Sequence, residues 1–167
     1  MQLWTQFYAA IGAASAALLG LLFVAVSINV SSALGPDEAV SRRLTEQAFQ
    51  NYLAVMMVAF LALFPGIDPT TFGMVILITT AGWSAWVVIR FCQTFTQRLE
   101  RRSWIYSVRR HVSSLIGFGI LLVSGFRMML NWGGAYNWLA ASTLVLLFSA
   151  TTVSWELLRR IANRSSG

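Results

Sequence analysis

The chain has 167 residues, of which 57% are hydrophobic and 11% charged, and its mean hydropathy is +0.66. Soluble domains carry about 25% charged residues, so this composition cannot clothe a globule in water. Glycine shows no period and there is a single cysteine, which sets aside collagen-like and disulfide-stapled chains. What is left is an integral membrane protein.

Five segments are long and apolar enough to cross a hydrocarbon core roughly 30 Å thick, which takes about 20 helical residues. They cover residues 7–30, 48–64, 70–91, 112–130 and 135–158. Backbone polar groups in lipid must be satisfied within the segment, so each run is expected to be a helix. The chain is thus expected to be all-α: a polytopic bundle of five transmembrane helices forming a single transmembrane domain over residues 1–167.

Orientation follows from arginine. The sequence has twelve basic residues, all arginine. Arg42 and Arg43 lie between spans one and two. Arg90, Arg98, Arg101, Arg102, Arg109 and Arg110 lie at or between spans three and four, and Arg159, Arg160 and Arg164 follow span five. A five-span zigzag puts all of these on one side and leaves Arg127 alone towards the other. Because basic residues are retained in cytoplasmic loops, the N-terminus is expected outside and the C-terminus inside, in a multi-pass protein of the cell inner membrane. From Arg110 to Arg127 is about 25 Å of helix, which suits charges at two membrane edges. Span one has no basic flank before it and no cleavage site after it, so it is expected to stay as an anchor.

Taken in chain order, span one carries small residues on two adjoining ridges: Ala9, Ala13 and Ala17, and Gly12, Ala16 and Gly20. Small-xxx-small spacing lets helix backbones approach closely, and these six residues are expected to pack against a neighbouring helix. The stretch from Phe7 to Gly12 with that from Ala17 to Asn29 resembles the opening of small, uncharacterised bacterial inner-membrane proteins, a group whose resemblance implies no particular activity. Pro36, Asp37 and Glu38 read as a helix start leading into span two. Pro65 and Gly66 end that helix, and Asp68–Pro69 restarts the chain as N-cap and first helical residue of span three.

Thr79, Thr80 and Ser84 in span three, with Thr151 and Thr152 in span five, are the hydroxyls from which a polar path would be built. The plainer reading is that they bond carbonyls of their own helices. The segments Thr79–Trp83 and Thr151–Trp155 also echo each other, as a parallel repeat of two hairpins would. Span three is expected to run on as an amphipathic stem, with Ser103 capping the helix that leads into span four. Arg98, Arg101, Arg102, Arg109 and Arg110 in that connection are candidates for contact with anionic lipid headgroups; orientation alone would also explain them. His111 is the one histidine, so two axial ligands for a haem are excluded within one chain. It is at most a pigment ligand beside the plainer reading of an interfacial side chain. Arg127 is expected either to snorkel to water, to draw anions, or to pair with Asp68 across the two outer turns. Asn131–Gly134 breaks span four from span five, and Glu156 is expected to be neutralised by Arg159 or Arg160.

No acid, lysine or histidine falls at mid-membrane, where coupled carriers keep their ionisable groups. Neither a metal-ligand spacing nor a nucleophile motif is found. These absences point away from an enzyme, and the net charge of +6 arises from topology, not nucleic-acid binding. The expectation is an accessory or structural subunit whose partners are the lipid bilayer and other membrane subunits or copies of itself, with bound lipid and no cofactor. The alternative is a homo-oligomeric channel or facilitator for ions or small solutes.

Overall fold

The computed structural model describes the backbone of residues 2–30, 39–96 and 101–165, and the side chains of residues 4–30, 40–85, 89 and 112–162. The described chain is helical throughout: α1 (Gln2–Ile28), α2 (Ala39–Leu63), α3 (Pro69–Thr96), α4 (Arg101–Met129) and α5 (Ala135–Ser165). Each helix is longer than the span expected there, although α1, α2 and α4 end one or two residues before it. α2 is helical nine residues before its apolar run at Ala48, and α4 is already helical at Arg101, so Ser103 lies inside the helix instead of capping it.

Among the described residues three stretches are long and apolar enough to cross a membrane, namely Trp4–Ile28, Val112–Met129 and Ala135–Ala162. The chain is therefore a helical membrane protein. α2 falls short for a simple reason. Its apolar stretch from Ala48 ends with the helix at Leu63, about 24 Å of rise. The interior is mostly apolar, yet small polar side chains share it and large apolar ones face outward. Ser15, Asn51, Thr80, Ser124, Ser142, Thr143 and Ser149 are buried, while Leu21, Phe23, Ile78, Phe148 and Trp155 are mostly exposed. Hydrocarbon around the helices removes the penalty on exposed apolar surface and leaves polar groups to find partners inside.

The turns carry ordinary local chemistry. α2 gives way at Phe64 to Pro65 and Gly66, and Gly66 has φ +82°. That value fits the third position of a type II turn with proline before it. Asp68 then caps α3: its Oδ2 accepts the Thr71 backbone N–H at 2.9 Å, as expected of an N-cap carboxylate. That hydrogen bond holds the Asp68 carboxyl below its ordinary pKa. At the far end of α4 the Trp132 N–H reaches the Arg127 carbonyl at 2.9 Å and the Asn131 N–H reaches that of Met128 at 3.0 Å. With Asn131 at φ +52° this is a Schellman ending, in which a left-handed residue takes up orphan carbonyls of the last turn.

Two compact units are distinguished: Met1–Leu63 with Leu147–Gly167, and Phe64–Leu146. In the first, α1 and α2 run antiparallel. Gly12 meets Ala59, Ser15 meets Tyr52, and Leu22 shares a cluster with Leu44, Ala48, Tyr52, Ala150, Val153 and Leu157. In the second, α3 and α4 run antiparallel, with Thr70 beside Asn131, Gly73 beside Gly125 and Trp83 beside Phe118.

Candidate functional site

The polar chemistry of the first unit gathers at one level. Asn51 lies twelve residues before the end of α2, about 18 Å of helix; Ser15 is about 20 Å from the start of α1, and Ser149 about 21 Å from the start of α5. The Ser15 hydroxyl donates to the Tyr52 carbonyl at 2.7 Å. Asn51 Nδ2 donates to Ser149 Oγ at 3.3 Å, and the Tyr52 hydroxyl donates to Thr151 Oγ1 at 3.4 Å. Ser154 Oγ lies 3.4 Å from the same phenol oxygen. The serine and threonine groups are also held locally, Thr151 on the Leu147 carbonyl at 2.8 Å and Ser154 on that of Ala150 at 2.9 Å. Ser15, Asn51, Tyr52 and Ser149 are all buried.

Such a cluster can do one thing well. Each donor in a low-dielectric interior needs an acceptor, and here the acceptors come from a second helix, so the bonds fix which residues of α1, α2 and α5 stand opposite. Among the described residues no group of His, Cys, Asp and Glu is arranged to hold a metal ion.

The cluster was not read from the sequence. Ser15 and Tyr52 carry no mark in the sequence, whereas Asn51 does: it adjoins Gln50 within an otherwise apolar run, and an amide in such a run calls for a partner on another helix. Of the hydroxyls expected along a polar path, Thr151 belongs to this cluster. Thr152 bonds the carbonyl of Ser149 at 2.8 Å and Thr79 that of Val75 at 2.7 Å, each within its own helix. Thr80 is buried, and among the described residues the Ser84 hydroxyl has no hydrogen-bond partner.

The small residues of α1 divide. Gly12 lies in the contact with α2, where an added Cβ would stand 3.0 Å from that of Ala59. Ala9, Ala13, Ala16, Ala17 and Gly20 are exposed. The face of α1 turned to α2 and α5 carries Tyr8, Gly12, Ser15, Leu19, Leu22 and Val26. Its alternating spacing of four and three is that of a helix whose axis crosses its neighbour's at a small angle.

Asp68 and Arg127, at the two turns, are not an ion pair. Asp68 is engaged by the Thr71 amide. Arg127 Nη2 donates to the Gly133 carbonyl at 2.8 Å, and its guanidinium carbon stands 5.7 Å from the Trp132 ring centroid. Each charge is answered by the backbone of its own helix end. Glu156 and Arg160 do pair, at 2.9 Å, as their spacing on one helix face requires. Arg98 lies outside the described residues, as do the side chains of Arg101, Arg102, Arg109, Arg110 and His111. No protein family, characterised protein or solved structure matches the chain, so its site is read from its own geometry.

Proposed function

We propose that the chain is a five-span protein of the inner membrane, N-terminus outside and C-terminus inside, that acts without chemistry of its own as an accessory or structural subunit of a larger membrane complex. The observation that carries this reading is the closure of the Ser15–Asn51–Tyr52–Ser149–Thr151–Ser154 cluster. Its hydroxyls are spent on each other and on helix carbonyls, which suits a packing lock more than the lining of a path for ions or solutes. α1 adds a surface for a partner. Less of its span is buried within the chain than of the other two apolar stretches, and five of its six ridge residues are exposed, leaving a smooth flank that another helix can approach closely.

Extraction in mild detergent followed by native mass measurement tests the reading. Recovery within a hetero-complex is the predicted result. A closed ring of identical chains would return the channel reading, and a lone monomer would overturn both.

A further inference from the structure

The α4–α5 turn concentrates positive charge without an acid to answer it. A guanidinium offers five N–H donors and no acceptor. That of Arg127 is met in the structure by one carbonyl, Gly133, at 2.8 Å, while its Nε is buried with no hydrogen-bond partner. Its plane is steadied by the Trp132 ring. Asp68, the acid closest in role, is taken by the cap of α3. The first turn of α5, which begins just beyond this loop, contains no acidic residue, so its N-terminal dipole adds to the same positive field.

Room and surroundings agree. A Cβ built on Gly133 or Gly134 meets nothing within 4 Å, so the surface of the turn is open at these two glycines. Trp132 and Trp138 are exposed on either side of these glycines, and exposed indoles at a helix end sit at the level of lipid headgroups. A phosphate is the group that lives at that level, and arginine recognises it through paired, charge-assisted hydrogen bonds.

We propose that the α4–α5 turn is a binding site for the phosphate of a phospholipid headgroup, with Arg127 as its main donor and Trp132 as the shelf that orients it. The site rests on the chain being a membrane protein and is independent of what the chain assembles with.

The test is lipid retention by the intact chain in mild detergent, read by native mass spectrometry during titration with phosphatidylglycerol. Wild type is compared with Arg127→Gln, and with Arg160→Gln as a control at the other end of α5. The loss of one interfacial arginine is expected to weaken retention by about fivefold, with the control unchanged. Equal retention by wild type and Arg127→Gln overturns the proposal. If that variant does not extract folded, Gly133→Leu replaces it: the added side chain fills the open ground and leaves Arg127 in place, so retention is expected to fall without loss of thermal stability, and unchanged retention again overturns the site. A parallel arm offers inorganic phosphate alone. Displacement of the lipid by millimolar phosphate would reassign the site to a free anion and contradict the lipid assignment.

Discussion

Gly73 and Gly125 face each other across α3 and α4: a Cβ on Gly73 would stand 2.7 Å from the Gly125 carbonyl oxygen, and one on Gly125 would stand 3.2 Å from that of Gly73. Two backbones are therefore in direct contact, with no side chain between them. In lipid, helices are held by van der Waals packing of this kind because burial of apolar surface brings no gain. Gly73→Ala forces the pair apart and is expected to cost about 1–3 kcal/mol, the usual range for overpacking. Gly82, on the same helix with nothing within 4 Å of its Cβ direction, is the control. Gly82→Ala is expected to be neutral or stabilising by up to about 1 kcal/mol through helix propensity. Denaturant unfolding of both variants in detergent measures the contrast.

The Tyr52 ring and its hydroxyl do different work. The hydroxyl has two neighbours at 3.4 Å, and both are already bonded to helix carbonyls. Tyr52→Phe strands neither and is expected to cost less than about 1 kcal/mol. Tyr52→Ala empties a fully enclosed ring site and is expected to cost about 3–5 kcal/mol, as large-to-small changes of aromatic residues do. Thermal midpoints of the two variants under one detergent condition give the ordering; equal losses would show that the hydroxyl, not the ring, carries the site.

Asp68 gives a pH dependence with a definite sign. The Thr71 amide lowers its carboxyl below the ordinary value of 3.8, so the folded state favours the charged form. The stabilisation is fully present above that value and is lost as pH falls through the lower, folded pKa. This contribution to thermal stability is thus expected to be independent of pH near neutrality and to fall below about pH 4. Asp68→Asn keeps a capping oxygen but has no proton to gain, so it should lose this part of the acid dependence while remaining capped. Parallel pH profiles of the two proteins, read as thermal midpoints, make the comparison.

The helices, and their ends at the α2–α3 and α4–α5 turns, were legible in the sequence because their signals are local, whereas the expected cap at Ser103 lies inside α4 and the expected start at Pro36–Glu38 lies outside the described residues. Asp68–Pro69 announces a helix start by the chemistry of two adjacent residues, and Pro65–Gly66 and Asn131–Gly134 announce breaks in the same way. Which face of a helix meets which neighbour was less legible. In water, apolar periodicity marks the buried side; in lipid both sides are apolar, and the six small residues of α1 identify candidates without identifying the one, Gly12, that touches Ala59. The Gly73–Gly125 contact was invisible for the same reason, since each glycine is ordinary in its own helix and meaningful only beside the other. Asp68 and Arg127 show the converse error. Opposite charges near two neighbouring turns invited pairing, yet nearer backbone groups met both.

The central claim is that α2 and α3 each cross the membrane, in addition to the three helices that are long and apolar enough by composition among the described residues. Labelling with a membrane-impermeant thiol reagent in intact cells tests it most directly, using Phe64→Cys in a Cys92→Ser background, where Phe64 is an exposed residue of the α2–α3 turn. Gln2→Cys and Ser165→Cys report the two ends. Five crossings predict that Phe64→Cys and Gln2→Cys react from outside and that Ser165→Cys reacts only after permeabilisation. A Phe64→Cys protein shielded in intact cells, with Gln2→Cys still reactive, would mean that α2 and α3 do not cross and would contradict the account.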